Sequence, residues 1–315
     1  MRKSTLSMPL LILSLILIYC SINSASAAQL PEKLLNMPIH LIDGKTVRLA
    51  DYQGIKPVYL KFWATWCQPC RKEMPHFEHV QQTLGKDMAV IGINLGVNDN
   101  LQSVQELIKE FNLTMPTAVD RNGDLAQAFR LLGTPYHLLF DKNMNLIFRG
   151  NAVDESLDNK LQLAAKTQPI DLLDAQLLEE QSENVKINLQ DDKLHVLFFS
   201  ATWCDWYLKD SRPQVSKNCI HAQKIVNQLA DEFSQVQWHG LISRLWTGEK
   251  DLQEYQKKYA ISYPINIDYS NRLFHEYGIN HLPTMVIIQQ GKVLMKTTEF
   301  KDLKAIKSKL ALQAK

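Results

Sequence analysis

Two stretches of this chain repeat one strand-to-cysteine transition. Lys56–Cys67 reads KPVYLKFWATWC and Lys193–Cys204 reads KLHVLFFSATWC, an offset of 137 residues. Each is an apolar, β-branched and aromatic run of buried-strand type, and each ends in Ala-Thr-Trp-Cys. Further on, FNLTMPTAVD (Phe111–Asp120) matches YAISYPINID (Tyr259–Asp268) at an offset of 148. Thr134-Pro135 matches Leu282-Pro283, Gly92 matches Gly240, and Val104-Gln105-Glu106 matches Leu252-Gln253-Glu254, all at 148. The second copy has gained eleven residues between Cys204 and Gly240. Two long copies make a duplicated domain, not a short-period array.

Each copy predicts a strand ending at Trp-Cys, then a helix. A second strand (Met88–Leu95; Val236–Ile242) and a second helix (Leu101–Phe111; Lys250–Tyr259) follow. An Asp-bearing strand or loop, a short helix and an X-Pro turn come next. Two strands close the unit: His137–Phe140 with Leu146–Arg149, and Met285–Gln289 with Lys292–Lys296. This is an α/β architecture, a central sheet flanked by helices, built twice. Between the copies, Pro169 ends a helix and DLLDAQLLEEQ has helical spacing. A short linker helix packing on the second unit is expected there, in a rigid join without Gly-Ser or charge runs. The expected division is a leader at 1–27, a first domain at 28–168, and a linker helix plus second domain at 169–315.

The leader follows from its order: basic Met1-Arg2-Lys3, apolar Leu10–Ile18 broken only by Ser14, then small and polar Ser21–Ala28. That is the layout of a secretory signal, with cleavage expected after Ala27. The apolar run is short for a span of about 20 residues, so membrane contact is expected only if the signal stays uncleaved. Tyr19 before Cys20 disfavours a lipoprotein signal. Losing Arg2 and Lys3 takes the formal charge from +2 to zero. Such a chain offers no electrostatic case for nucleic acid. Cys67, Cys70, Cys204 and Cys219 remain, too few for a disulfide scaffold and placed as if for chemistry in an oxidising compartment.

FWATWCQPC followed by RKEMP, then VIGINL, FNLTMPTAVD and LLGTP, resembles the TlpA/ResA-like branch of the thioredoxin superfamily. The match spans roughly Leu30–Lys166, and more loosely Leu173–Leu310. The resemblance implies two tandem thioredoxin-like domains and an exported, periplasmic thiol–disulfide oxidoreductase. It further implies a reductant in cytochrome c or copper-site assembly, acting on protein thiols and disulfides and fed by an upstream membrane electron donor. No organic cofactor or metal is implied, since the cysteine pair carries the two electrons. Cys67 then sits at an exposed helix N-terminus, where the dipole and free N–H groups favour a thiolate nucleophile, and Cys70 resolves. Pro135 matches the family's cis-proline, so Trp66, Thr134 and Pro135 are the expected substrate contacts. Glu73 resembles a family glutamate used for proton transfer, and equally reads as a solvated helix carboxylate. Pro75 matches a helix-kinking proline. Lys61 stands where thioredoxin has a buried acid. A buried ammonium there would favour thiolate; snorkelling to solvent is the preferred reading. His76 and His79 are expected on a solvated helix face.

The second copy lacks the partner cysteine: CDWYLKDSRP replaces CQPCRKEMP. Cys219 lies fifteen residues past Cys204. On one straight helix that is about 22 Å, so pairing requires the chain to fold back. Three readings stand: a structural disulfide first, a slow redox couple or relay second, and a metal site with His221 third. Trp203, Trp206 and Tyr207 read as surface or interface packing, or as a partner-docking patch. The functional rivals to an enzyme are a copper or haem-assembly metallochaperone and a scaffold that works through the second domain.

Overall fold

The runs that end in Trp-Cys form the central strand of each of two five-stranded sheets. The computed structural model describes residues 30–178 and 185–313; the expected signal sequence lies outside them. A short helix α1 (Glu32–Leu35) and an antiparallel ribbon, β1 (Ile39–His40) with β2 (Thr46–Val47), come first. The first unit then runs β3 (Val58–Trp63), α2 (Gln68–Lys72), α3 (Met74–Leu84), β4 (Ala89–Asn94), α4 (Leu101–Glu110), β5 (Thr117–Val119), α5 (Asp124–Ala128), β6 (Tyr136–Phe140), β7 (Leu146–Gly150) and α6 (Glu155–Ala165). The second runs β8 (Leu194–Ser200), α7 (Cys204–Tyr207), α8 (Pro213–Glu232), β9 (Gln237–Ser243), α9 (Glu249–Tyr259), β10 (Ile265–Asp268), α10 (Arg272–Glu276), β11 (Thr284–Gln289), β12 (Lys292–Thr297) and α11 (Leu303–Gln313).

Strand orders are β5-β4-β3-β6-β7 and β10-β9-β8-β11-β12, the same topology twice. The first three strands of each order are parallel and the last two antiparallel to their neighbours. Every residue of β3 and β8 is buried. Helices cover both faces, so the two strands read as continuous apolar runs instead of alternating. The eleven added residues mostly lengthen one helix: α8 has 20 residues where α3 has 11. Asp120 and Asp268 explain the repeated acid. Asp120 accepts the N–H groups of Leu125 and Ala126 at 3.2 and 2.7 Å, and Asp268 those of Leu273 and Phe274 at 2.8 and 3.0 Å. Each carboxylate thus starts the short helix that aims the following X-Pro turn.

The linker expectation is corrected. Within the described residues the segment forms a 3-10 turn, Ala175–Leu178, in place of the expected helix; residues 179–184 lie outside them. The N–H of Leu173 donates to Leu146 O of β7 instead of to a helical carbonyl.

Equivalent ends of the two units face each other. Asn98 N–H donates to Asn280 O, and Trp246 N–H to Leu132 O, both at 2.8 Å. Asn98 and Trp246 are equivalent positions in the repeat, as are Leu132 and Asn280, so one contact is made twice with the roles exchanged. Trp66 and Trp203, also equivalent, stack on one another with centroids 5.2 Å apart. Each indole is pinned alike, Trp66 Nε1 donating to Val97 O and Trp203 Nε1 to Leu245 O, at 2.7 Å. This is the contact pattern of an isologous dimer, here within one chain. Asp99 fastens it. Its side chain is fully buried, accepts from Thr65 N–H and from Asn94 at 2.8 Å, and faces Arg212 of the second unit at 3.2 Å. The Arg212→Ala variant leaves this carboxylate without its cation. Its stability is expected to fall by about 2–3 kcal/mol, read as a lower urea midpoint; an unchanged midpoint would show that Arg212 does not hold the units together.

Candidate active site

Cys67 caps the N-terminus of α2 and is joined to Cys70 by a disulfide, with Cα atoms 5.2 Å apart. The two intervening residues make one helical turn, and Pro69 fits its first positions, where no N–H is needed. Cys70 N–H donates to Cys67 Sγ at 3.2 Å. Thr134–Pro135 is a cis peptide, as is Leu282–Pro283 in the second unit. Pro69 and Thr134 line one cleft, which places the X-Pro turn beside the cysteine pair.

Both sulfurs are buried, because the second unit covers this end of the first. The Tyr207 hydroxyl accepts from Gln68 N–H at 3.2 Å. Trp246 lies over Gly133, where a Cβ would come within 2.5 Å of Trp246 Nε1; only glycine leaves that room. Trp66, an expected substrate contact, is fully buried and packs against Trp203, Tyr207 and Trp246. Its indole therefore belongs to the interface, which the apolar area of four aromatic rings stabilises.

Glu73 sits between α2 and α3, next to Pro75, which has no N–H and breaks the helix there. It is largely enclosed and ion-paired, not the freely solvated carboxylate of the second reading. Its Oε2 lies 2.7 Å from Lys61 Nζ and 3.2 Å from His137 Nε2, the latter off the hydrogen-bond line, and its Oε1 accepts from Val153 N–H at 3.1 Å. The expectation for Lys61 is overturned: its side chain has no exposed surface. It is central on a strand covered on both faces, so its stem cannot reach water and its ammonium pairs with Glu73. His137 sits opposite Lys61 in the β3–β6 register, and its Nδ1 meets the Tyr59 hydroxyl at 2.7 Å. Burial pushes Glu73 up, but the His137 contact and the charge and hydrogen bond of Lys61 outweigh it and hold the carboxyl at about 2. Burial lowers Lys61 to about 8 against the pull of Glu73, and burial also lowers His137. Desolvation falls hardest on the enclosed lysine, while the carboxylate keeps some water and two cationic or polar neighbours.

Cys204 and Cys219 are paired, their Cα atoms 6.1 Å apart. The chain turns back between α7 and α8, which is the folding-back their spacing requires. His221 is engaged elsewhere, its Nε2 lying 3.3 Å from Phe300 O. Among the described residues no group of three or more His, Cys, Asp and Glu is placed to hold a metal ion. His76 Nε2 lies 2.7 Å from Asp158 on α6. The sequence reading missed the Tyr59–His137–Glu73–Lys61 group, Arg212 and Trp246. The available signal for the first was a polar residue in each of two otherwise apolar neighbouring strands, Lys61 in VYLKFW and His137 in YHLLF.

Fold and site together define a thiol–disulfide oxidoreductase on a duplicated thioredoxin fold. The AhpC/TSA family matches residues 28–149. The thiol–disulfide oxidoreductase ResA of Bacillus thuringiensis subsp. konkukian is 31% identical over 129 residues, 40% of this chain and 73% of that protein. ResA of Geobacillus kaustophilus is 32% identical over 124 residues, 38% and 70% of the two chains. A crystal structure of a thiol:disulfide interchange protein of the thioredoxin family from Chlorobium tepidum TLS shares 27% identity, covering 45% of this chain and 99% of its own, with a TM-score of 0.39. The chain belongs to the ResA family of thiol–disulfide oxidoreductases.

Proposed function

We propose that this protein is an exported disulfide reductase in which Cys67 attacks and Cys70 resolves. The observation that carries the reading is Cys67 at the cap of α2, its sulfur taking Cys70 N–H, beside the cis Thr134–Pro135 bond. In the reduced protein the Cys67 thiolate displaces one sulfur of a substrate disulfide and forms a mixed disulfide. Cys70 then attacks Cys67 Sγ. The second substrate thiolate leaves, two electrons pass to the substrate, and the Cys67–Cys70 bond is restored. Thr134 and Pro135 hold the substrate chain, and Trp66 positions the cap from beneath. Glu73, ionised down to about pH 2, fixes the charge of Lys61 and does not itself carry the proton.

The donors around Cys67 support the reducing direction of electron flow. A strong oxidant stabilises its reduced thiolate heavily. Here Gln68 N–H is spent on Tyr207, Pro69 has no N–H, and among the described residues only Cys70 N–H reaches the sulfur. A poorly supported thiolate favours the disulfide in this protein, and so makes it a reductant. Residues 28–168 carry the redox chemistry, and residues 169–315 cover and position it, with Cys204–Cys219 as a structural bond. Signal-type residues 1–27 and the ResA relatives support the reading of a periplasmic protein, fed by a membrane electron donor and acting in cytochrome c or copper-site assembly. Among the described residues no helix is long and apolar enough to cross a membrane.

Equilibration in glutathione or dithiothreitol buffers, followed by alkylation and mass spectrometry, tests this. Cys67 and Cys70 are expected to titrate together near or below about −270 mV, while Cys204 and Cys219 stay paired; a value near −120 mV would mark an oxidant. Tyr207→Phe frees Gln68 N–H for the thiolate. It is expected to raise the potential by about 30 mV, one charged hydrogen bond. An unchanged potential would remove Tyr207 from the account of direction.

A further inference from the structure

A cleft of about 630 Å³ opens between the two units beside the cysteine pair. Pro69 and Thr134 of the first unit form one side; Trp203, Trp206, Tyr207 and Trp246 of the second form the other. Thr134 is almost fully buried, and its Oγ1 has no hydrogen-bond partner among the described residues. A buried hydroxyl left this way costs free energy until a ligand satisfies it. Trp206 is 60% exposed, a large aromatic face open to solvent where the second unit meets the first.

The rim has a sign. Asp251 and Glu254 of α9 line it, together with Lys258. Lys258 is committed: its Nζ lies 2.5 Å from Asp205 Oδ2, which also accepts from Tyr259. Lys250 stands 3.9 Å from Glu254, but both side chains are mostly in water, where such a pair is worth little. Asp251 also accepts the Gly248 N–H at 2.8 Å, which leaves Glu254 as the more available carboxylate. Aromatic faces under a rim with an excess of acid suit a cation on an apolar stem, because the ring quadrupoles and the carboxylates attract it together. An anionic segment is less suited, since the rim carries two carboxylates against one ammonium that is already paired with Asp205.

Resting on the reductase reading above, we infer that the second unit selects the substrate: the cleft takes an extended protein segment with a lysine or arginine next to its disulfide-bonded cysteine. The segment runs between Thr134 and the tryptophan wall. Its cation sits against Trp206 under Glu254, and its disulfide is brought to Cys67 as Tyr207 gives way. Thiol exchange then proceeds as described, with no further reactant. The second unit has no Cys-X-X-Cys pair at its Trp-Cys position, and recognition takes the place of that role.

The test uses the full-length protein, reduced with dithiothreitol and desalted. Its second-order oxidation rate is followed by alkylation mass spectrometry. The probes are short peptides whose single cysteine is blocked with mercaptoethanol and flanked by lysine, serine or glutamate. Hydroxyethyl disulfide serves as a small neutral control. The lysine peptide is expected to react about tenfold faster than the glutamate peptide at low salt, and the ratio is expected to shrink as salt rises. Glu254→Lys and Trp206→Ala should each bring the ratio towards one. A wild-type ratio near one, a preference for glutamate, or a ratio untouched by both substitutions overturns the inference while leaving the reductase reading standing. No reaction even with hydroxyethyl disulfide overturns that reading, and this inference with it.

Discussion

The Cys67→Ser variant is expected to reduce disulfides no faster than uncatalysed exchange, and the Cys70→Ser variant to stop at the mixed disulfide. A serine hydroxyl stays protonated far above neutral pH and does not attack a disulfide sulfur. Loss at position 67 therefore removes the first step, and loss at position 70 only the second. The assignment of order is structural: Cys67 caps α2 and its sulfur receives an N–H, whereas Cys70 lies within the helix. Intact-mass analysis after mixing each variant with a disulfide-bonded substrate distinguishes the two. An adduct on Cys70→Ser and none on Cys67→Ser is the expected pattern. The reverse would exchange the roles of the cysteines. Because both sulfurs are buried beneath the second unit, adduct formation should also be slower than in a free helix cap, as capture waits for Tyr207 and Trp246 to move.

The duplication and the topology of each unit were legible because they rest on patterns local in sequence. A strand buried on both faces must be a continuous apolar run, and β3 and β8 are such runs. The cysteine pair and the X-Pro turn were legible for the same reason: a helix cap and a tight turn are written in adjacent residues. The pairing of Cys204 with Cys219 was legible as a geometric condition, that the chain fold back. What escaped depends on residues far apart in the chain. Nothing in the sequence ties Asp99 to Arg212, 113 residues away, or sets Trp246 over Gly133. Lys61 was misread because snorkelling is the ordinary resort of a lysine near a surface. The acid that makes a buried ammonium tolerable lies twelve residues on, beyond a loop and a helix. The helical spacing at the start of DLLDAQLLEEQ misled for a related reason: Leu173 gave its N–H to β7, a partner no local pattern reveals.

Lys61→Met is expected to destabilise the protein by about 3 kcal/mol at pH 7, and by much less at pH 3. The wild-type pair lies 2.7 Å apart, with no exposed surface on the lysine side chain and 15% on that of Glu73. Removing the ammonium leaves a carboxylate facing only His137, which burial keeps neutral, and the N–H of Val153. The cost comes from the stranded charge, so it disappears when that charge is titrated. The folded-state value of Glu73 is held at about 2, below its ordinary 4.5. This acid therefore contributes stability that is present above pH 4.5 and is lost as the pH falls through 2. In Lys61→Met the share of that depression owed to Lys61 is gone while the His137 contact remains, so Glu73 titrates higher than in the wild type and the acid window narrows. Lys61 itself is lowered from 10.5 to about 8, so between pH 8 and 10.5 the folded state binds fewer protons than the unfolded one. Its own contribution thus rises with pH across that window in the wild type and is absent from the variant. Pairing Lys61→Met with Glu73→Gln replaces both charges at once and is expected to recover most of the loss at pH 7, since a buried ion pair exchanged for neutral groups costs little. Urea unfolding of the wild type, the single variant and the double variant at pH 7 and pH 3 decides the matter. A destabilisation equal at both pH values, or undiminished in the double variant, would mean that Lys61 matters for its packing against Phe77 and not for its charge.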